Sequence, residues 1–266
     1  LINKNKKIFL IVEEKIASKI VKEKKFKKNQ IINPIKFEDF VKKLDGNKFI
    51  IDPLSCSILN EKIIQSNFKI IEENDPCYEF KSVKNPTEIS NTINAHVEDG
   101  LALTKFIYWI KNVNKKKITE IDAKNKLQKF RKLSKNYLFP SFDTIAGTGS
   151  NGAIVHYRVS KKSNKIINKK DIFLCDSGGQ YKYGTTDVTR TICFSKAKKS
   201  IKNVFTKVLK GHIAVHQTNL KKDNTGKKID LRARKFLKED GLDYAHGTGH
   251  GVGFFLNVHE GPQSIS

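Results

Sequence analysis

The stretch HGTGHGVGFFLNVHEGP, residues 246–262, restricts the chain more than any other. It carries three of the seven histidines. His246 and His250 are spaced i, i+4, as on a metal-binding helix. Glycine, however, occupies positions 247, 249, 251 and 253. Each glycine costs roughly 1 kcal/mol against alanine in a helix interior. The segment is therefore predicted to be extended or irregular, and its alternate glycines leave room for a ligand or another strand. One imidazole could then complete a carboxylate–imidazole metal site while the others face a substrate. Taken alone, structural histidines satisfied by their surroundings fit equally well.

The matching carboxylates lie upstream. In DSGGQYKYGTTD, Asp176 closes the apolar run DIFLCD and Asp187 opens DVTRTICF, with three glycines between them. Folded as a hairpin, this segment brings both acids to one end of a sheet. Two like charges so placed repel and raise a pKa, a cost that a divalent cation removes. Two turn-forming aspartates are the simpler alternative. His156, in NGAIVHYR, is predicted to lie on a strand 20 residues before Asp176. The GTGSNG at 147–152 runs into that β-branched segment and reads as a turn, not a dinucleotide fingerprint.

The rest of the chain divides near residue 83. Before it, KIFLIVEE, KFIID and FKIIEE suit strands and PLSCSILNEKIIQS suits a helix, as in part of an α/β domain. After it, Asn85, Pro86 and Glu88 form a helix-start signature. Ile89, Ile93, Val97, Leu101, Thr104 and Tyr108 then recur at helical spacing, giving an amphipathic helix of some 25 residues bent at Gly100. A second helix starts at Thr119 with Asp122 three residues on. Two more are predicted near 198–220 and 228–239, the last stopped by Gly241.

Composition narrows the class. A hydrophobic content of 38% in 266 residues supports a sizeable core. Apolar runs are too short to span a bilayer. The net charge of +24 is mostly lysine, in runs such as KNKK, KEKKFKK and NVNKKK spread along the chain. Nucleic-acid surfaces more often show clustered stripes with arginines or aromatics, which argues against such a partner. Cys56, Cys77, Cys175 and Cys193 form no CxxC pair and are expected to be buried thiols in a reducing compartment. The chain starts at Leu1 and has no methionine, as an internal fragment or processed piece would.

The order His, Asp-x10-Asp, His-x3-His-x8-His carries a resemblance. With GSNGAIVHY, DSGGQYKYGTTDVTRT, VLKGHIAV and GLDYAHGTGHGVGFFLNVHEGP, residues 85–266 resemble the Xaa-Pro aminopeptidases of the pita-bread metallopeptidase superfamily, in their three-domain cytosolic branch. The resemblance implies an α+β fold: residues 84–266 as a pita-bread catalytic domain truncated at its C-terminus, and residues 1–83 as the C-terminal part of an α/β, creatinase-type N-terminal domain. It implies Asp176, Asp187 and His250 as metal ligands, His156 and His259 flanking the scissile bond, and His246 lining the pocket for the penultimate proline. It implies two divalent cations, Mn²⁺ first with Zn²⁺ or Co²⁺ as alternatives, a homodimer and a cytoplasmic location.

Carboxylate oxygens with one imidazole suit Mn²⁺ or Zn²⁺. Two further glutamate ligands of the family lie well past HEGP, so the 266-residue chain is expected to be inactive, the full-length protein being the aminopeptidase. Two rival readings are a prolidase acting on Xaa-Pro dipeptides and a non-catalytic binding module on the same fold.

Overall fold

The structure, a computed structural model, describes residues 1–3, 5–23, 25–113, 118–223 and 225–266. Several lysines of the basic runs, at 4, 24 and 115–117, lie outside the described residues. The chain separates into two compact units, Leu1–Cys77 and Tyr78–Ser266.

In the first unit β1 (Leu10–Ile11), α1 (Glu14–Lys22) and β2 (Ile31–Ile32) are followed by α2 (Phe37–Val41), β3 (Lys48–Ile51), α3 (Ile58–Gln65) and β4 (Lys69–Glu72). β1 pairs with β2 and β3 with β4, both in parallel, each pair bridged by a helix as parallel pairing requires. Phe37, Val41, Ile51, Ile64 and Phe68 form its core. The extended run expected at KIFLIVEE shrinks to the two residues of β1 and an isolated bridge from Ile8 to Ile2, and helix α1 already begins at Glu14.

Helix α4 (Pro76–Ser82) leads into the second unit. There follow α5 (Pro86–Asn112), α6 (Glu120–Arg131), β5 (Tyr137–Pro140), β6 (Ile145–Thr148), β7 (Ile172–Ser177), β8 (Gly179–Tyr181), β9 (Gly184–Thr185) and β10 (Val188–Cys193). Next come α7 (Lys199–His216), α8 (Gly226–Lys238), β11 (Gly249–Gly251) and β12 (Glu260–Ile265). The strands form antiparallel sheets ordered β10-β7-β6, β5-β8-β9 and β11-β12. Helices α5 and α6 both open with full capping boxes, Asn85 with Glu88 and Thr119 with Asp122. Each box satisfies otherwise orphaned N–H groups at a helix start. The main core joins α5, α6 and the β6-β7-β10 sheet through Phe106, Ile110, Leu127, Ile167 and Phe173.

Three expectations are corrected. The apolar series on α5 faces solvent: Val97 is 70% exposed and Tyr108 73%. The buried face is instead Ala95, Asp99, Ala102, Leu103, Phe106 and Ile110. This helix has two apolar faces, and the sheet takes the one whose small residues permit close approach, with Gly184 of β9 against Ala95. Second, no strand forms at NGAIVHYR. The chain makes a 3-10 turn over Gly149–Ala153 and then runs irregularly, so β6 precedes the segment. Third, only Cys175 of the four cysteines is buried; Cys77 is exposed and the other two are half-buried.

A buried ion pair ties this unit together. Arg131 donates from Nε to Asp99 Oδ1 at 2.6 Å and from a terminal nitrogen to Asp99 Oδ2 at 3.0 Å. The same nitrogen reaches Ser177 Oγ at 3.0 Å, and the Tyr181 hydroxyl donates to Asp99 Oδ1 at 2.8 Å. The Asp99 carboxylate thus links α5 to α6 and β8, and Arg131 extends the network to β7 at Ser177, the residue after Asp176.

Candidate metal centre

The two acids meet as the hairpin reading required. Strands β7 and β10 pair antiparallel, with Thr189 opposite Asp176. Asp187 lies two residues before Thr189 and so shares its face of the extended chain. That makes the two carboxylates diagonal neighbours across the ladder, roughly 7–8 Å apart at the backbone. The Thr189 hydroxyl donates to Asp176 Oδ1 at 2.7 Å. Between the strands Gly178 takes a position where a Cβ would run into the Thr186 carbonyl and the Ser141 hydroxyl, so the turn closes only with glycine. Burial, and then the nearby Asp176 charge, push the Asp187 carboxyl above its ordinary range.

The histidines arrive on the other hairpin. His250 lies in β11, paired with β12, and the register shifts between His250 and Gly251. A Cβ on Gly251 would strike the Glu260 carbonyl, so the close approach of β11 to β12 requires glycine there. The glycines admit β12, as the extended reading anticipated. His250 Nε2 stands 3.3 Å from Asp187 Oδ2. Its Nδ1 lies 2.8 Å from the Gly251 carbonyl oxygen, which can only accept. In the neutral imidazole the proton therefore sits on Nδ1 and bare Nε2 faces a carboxylate oxygen. Two acceptors at that distance need a proton or a cation between them.

His259 completes the group, its ring centroid 4.1 Å from that of His250. Ligand atoms of Asp187, His250 and His259 all lie within 4.8 Å of one another. Burial, and then the neighbouring His250, lower the His259 pKa. A low-pKa imidazole and a carboxylate beside it offer bare nitrogen and oxygen donors at neutral pH, a set suited to a divalent cation.

The remaining predicted residues divide. Asp176 adjoins the group and contributes to the field at both Asp187 and His259, but its own Oδ1 is occupied by Thr189. His156 comes to 6.3 Å from His259, centroid to centroid. It sits at φ +53°, a conformation costing about 1–3 kcal/mol for a residue with a Cβ. His246 belongs to another set of contacts. Its ring packs on Tyr244, its Nδ1 lies 2.7 Å from the Gly247 carbonyl, and its own carbonyl accepts from Arg234.

Two neighbours escaped the sequence reading. His96 of α5 lies close enough to Asp187 to favour its charge, and its Nδ1 lies 2.9 Å from the Thr92 carbonyl. Glu260, next to His259, is almost fully buried and accepts from Lys84, with Lys81 Nζ at 3.8 Å. Neither had a local signal: a single histidine in a long helix and an acid inside a turn motif look ordinary.

A mixed α and β unit that gathers acids and imidazoles from two antiparallel hairpins has the donor set of a divalent-metal site. The chain belongs to metallopeptidase family M24, whose model matches residues 91–266. It is 46% identical over 200 residues to a probable Xaa-Pro aminopeptidase P of Paracoccidioides brasiliensis, covering 74% of this chain and 32% of that protein. A probable Xaa-Pro aminopeptidase P of Podospora anserina gives 46% over 208 residues, covering 77% and 31%. The chain thus spans about a third of the length of the curated relatives it matches. Among solved structures it is similar to the X-prolyl aminopeptidase of Caenorhabditis elegans, described as a cytosolic enzyme with a di-nuclear active site. The TM-score is 0.79 at 29% identity, over 100% of this chain and 43% of that one. The prolidase of Pyrococcus furiosus shares the fold, with a TM-score of 0.78 at 23% identity over 97% of this chain and 73% of that one. The α+β pita-bread architecture follows from these neighbours.

Proposed function

We propose that the protein to which this chain belongs is a metal-dependent aminopeptidase that releases the first residue from peptides with proline second. The convergence of Asp187, His250 and His259, with Asp176 and His156 beside them, is the observation that carries this reading. Asp176, Asp187 and His250 would hold divalent cations, two of them as in the Caenorhabditis elegans enzyme, with Mn²⁺ the first candidate. Such a pair supplies a Lewis acid for the peptide carbonyl and a hydroxide at neutral pH.

The chain's own groups do the rest. His259 adjoins the ligand group and His156 adjoins His259, their ring centroids 6.3 Å apart. His259, its pKa lowered, is bare at neutral pH and accepts a proton from the attacking water. His156 donates to the oxyanion or to the departing prolyl nitrogen. A prolyl amide has no N–H to read, so specificity rests on ring shape, and His246 is assigned to that pocket. Within 4.8 Å, His259 also competes for a ligand role, which makes it either a proton carrier or a fourth donor.

Residues 1–83 are assigned to the end of a preceding α/β domain, the assembly to a homodimer and the location to the cytoplasm, following the described cytosolic relative. The test is cleavage of Xaa-Pro tripeptides by the protein at its natural length in Mn²⁺ buffer. Release of the first residue, abolished in Asp187→Asn, supports the reading. Cleavage of Xaa-Pro dipeptides alone would move it to prolidase, and no cleavage of either would overturn it.

A further inference from the structure

His156 holds a left-handed backbone angle at the crest of an exposed excursion, yet both ends of that excursion are tied to one buried carboxylate. Glu120 is the first residue of α6, and its side chain is wholly buried. Its Oε1 accepts from the Thr148 backbone N–H at 2.8 Å and from Asn151 Nδ2 at 3.0 Å. Its Oε2 accepts from the Tyr157 hydroxyl at 2.8 Å, the Lys165 N–H at 3.1 Å and Asn151 Nδ2 at 3.0 Å. Asn151 and Tyr157, themselves buried, also meet each other at 2.8 Å. These two residues bracket positions 152–156. The strained turn is therefore clamped on both flanks by the same two oxygens, while residues 153–156 are exposed.

We infer that Glu120 is a positioning residue for His156: it fixes the two ends of the 151–157 turn so that the His156 ring is held beside His259. The importance of that placement rests on the proposed role of His156 at the scissile bond; the placement itself does not. A strained angle persists where its surroundings over-determine it, and here the Glu120 carboxylate holds both flanks, with Ser163 meeting the same Asn151 and Tyr157 side chains. An amide in place of the carboxylate would turn an NH₂ toward groups that are themselves donors, so at least one contact must break.

The test uses the metal-free 266-residue chain with labelled histidines. Ring-proton cross-peaks between His156 and His259, and between His250 and His259, are compared in Glu120→Gln and Tyr157→Phe. The expected result is loss of the His156–His259 cross-peaks in both, with the His250–His259 cross-peaks kept. A general loss of structure would remove both sets. Unchanged His156–His259 cross-peaks in either folded variant overturn the inference. If Glu120→Gln does not fold, Tyr157→Phe carries the comparison, with Ser163→Ala as its control because the same hydroxyl lies 3.1 Å from Ser163 Oγ. Failure to cleave any Xaa-Pro peptide would sink the peptidase reading and leave this comparison standing.

Discussion

His250 Nε2 points at Asp187 Oδ2 across 3.3 Å while its other ring nitrogen is taken by the Gly251 carbonyl. The carbonyl selects the tautomer, and the tautomer leaves two acceptors facing each other. A proton or a metal cation between them would resolve that conflict, and under the proposed function it is a cation. Asp187→Asn and His250→Ala are each expected to weaken Mn²⁺ binding by at least about 100-fold, since even groups that only orient ligands contribute 10–100-fold. Isothermal titration of the chain with Mn²⁺ measures this. Wild-type affinity in both variants would mean the cluster is not the site.

The same residue should act in opposite directions on stability with and without metal. Burial and Asp176 raise the folded-state pKa of Asp187. A raised pKa contributes stability that is full below the unfolded value and lost as pH rises through the folded value. At neutral pH the metal-free chain therefore bears the repulsion. Asp187→Asn is expected to raise the melting temperature of the metal-free chain at pH 7. With Mn²⁺ at 100 times its Kd, the wild type gains about 2.7 kcal/mol that the variant lacks. Melting curves of both proteins with chelator and with Mn²⁺ should cross; a variant less stable in both would contradict this.

His259 sets the acid side of the profile. Burial and His250 lower its folded pKa, so its contribution is present above the ordinary histidine value and lost as pH falls through the lowered one. Cation binding must also displace protons as the pH drops. Mn²⁺ affinity should thus fall on acidification, and His259→Gln should flatten the part of that fall below the ordinary histidine range. An unchanged pH profile in the variant would exclude His259 from the group.

Arg131 and Asp99 give a prediction about the frame. Removing one partner of a buried pair leaves an uncompensated charge, at a cost of about 3–5 kcal/mol. Arg131→Leu should destabilise the second unit by that much, and Tyr181→Phe by about 1 kcal/mol. Arg131→Leu combined with Asp99→Leu should cost less than Arg131→Leu alone. Urea unfolding followed by a probe in residues 78–266 reads the three values.

Much of this frame was legible where the chain's chemistry is local. Asn85 with Glu88 and Thr119 with Asp122 announce helix starts by groups three residues apart, and both boxes formed. The Asp-x10-Asp hairpin was legible because glycines and alternating apolar residues fix a turn and its register. Which apolar face of α5 would be buried was not, since Val97 and Leu103 are equally hydrophobic. The choice depends on Ala95 meeting Gly184 and on Asp99 meeting partners 32 and 82 residues away. The strand expected at His156 failed for a similar reason. Ile154 and Val155 favour extended chain, but Asn151 and Tyr157 are claimed by Glu120, and the backbone follows the buried carboxylate.

The alternating glycines yield the sharpest separation of folding from metal binding. At Gly251 a Cβ would press into the Glu260 carbonyl of the paired strand, and Gln263 Oε1 would lie 2.8 Å away. The backbone oxygen cannot move without displacing β12, which begins at Glu260, next to His259. Gly251→Ala should therefore part β11 from β12 and pull His250 and His259 out of register, at about 1–3 kcal/mol for overpacking. Gly241 provides the control. It sits at φ +70° with open space around it, so Gly241→Ala incurs only about 1–2 kcal/mol of left-handed strain at the end of α8. The two variants are expected to melt at similar temperatures. Mn²⁺ should still bind Gly241→Ala and bind Gly251→Ala at least about 10-fold more weakly, the scale of a lost orienting contact. Equal affinities would show that the close approach of β12 does not set the spacing of the two imidazoles.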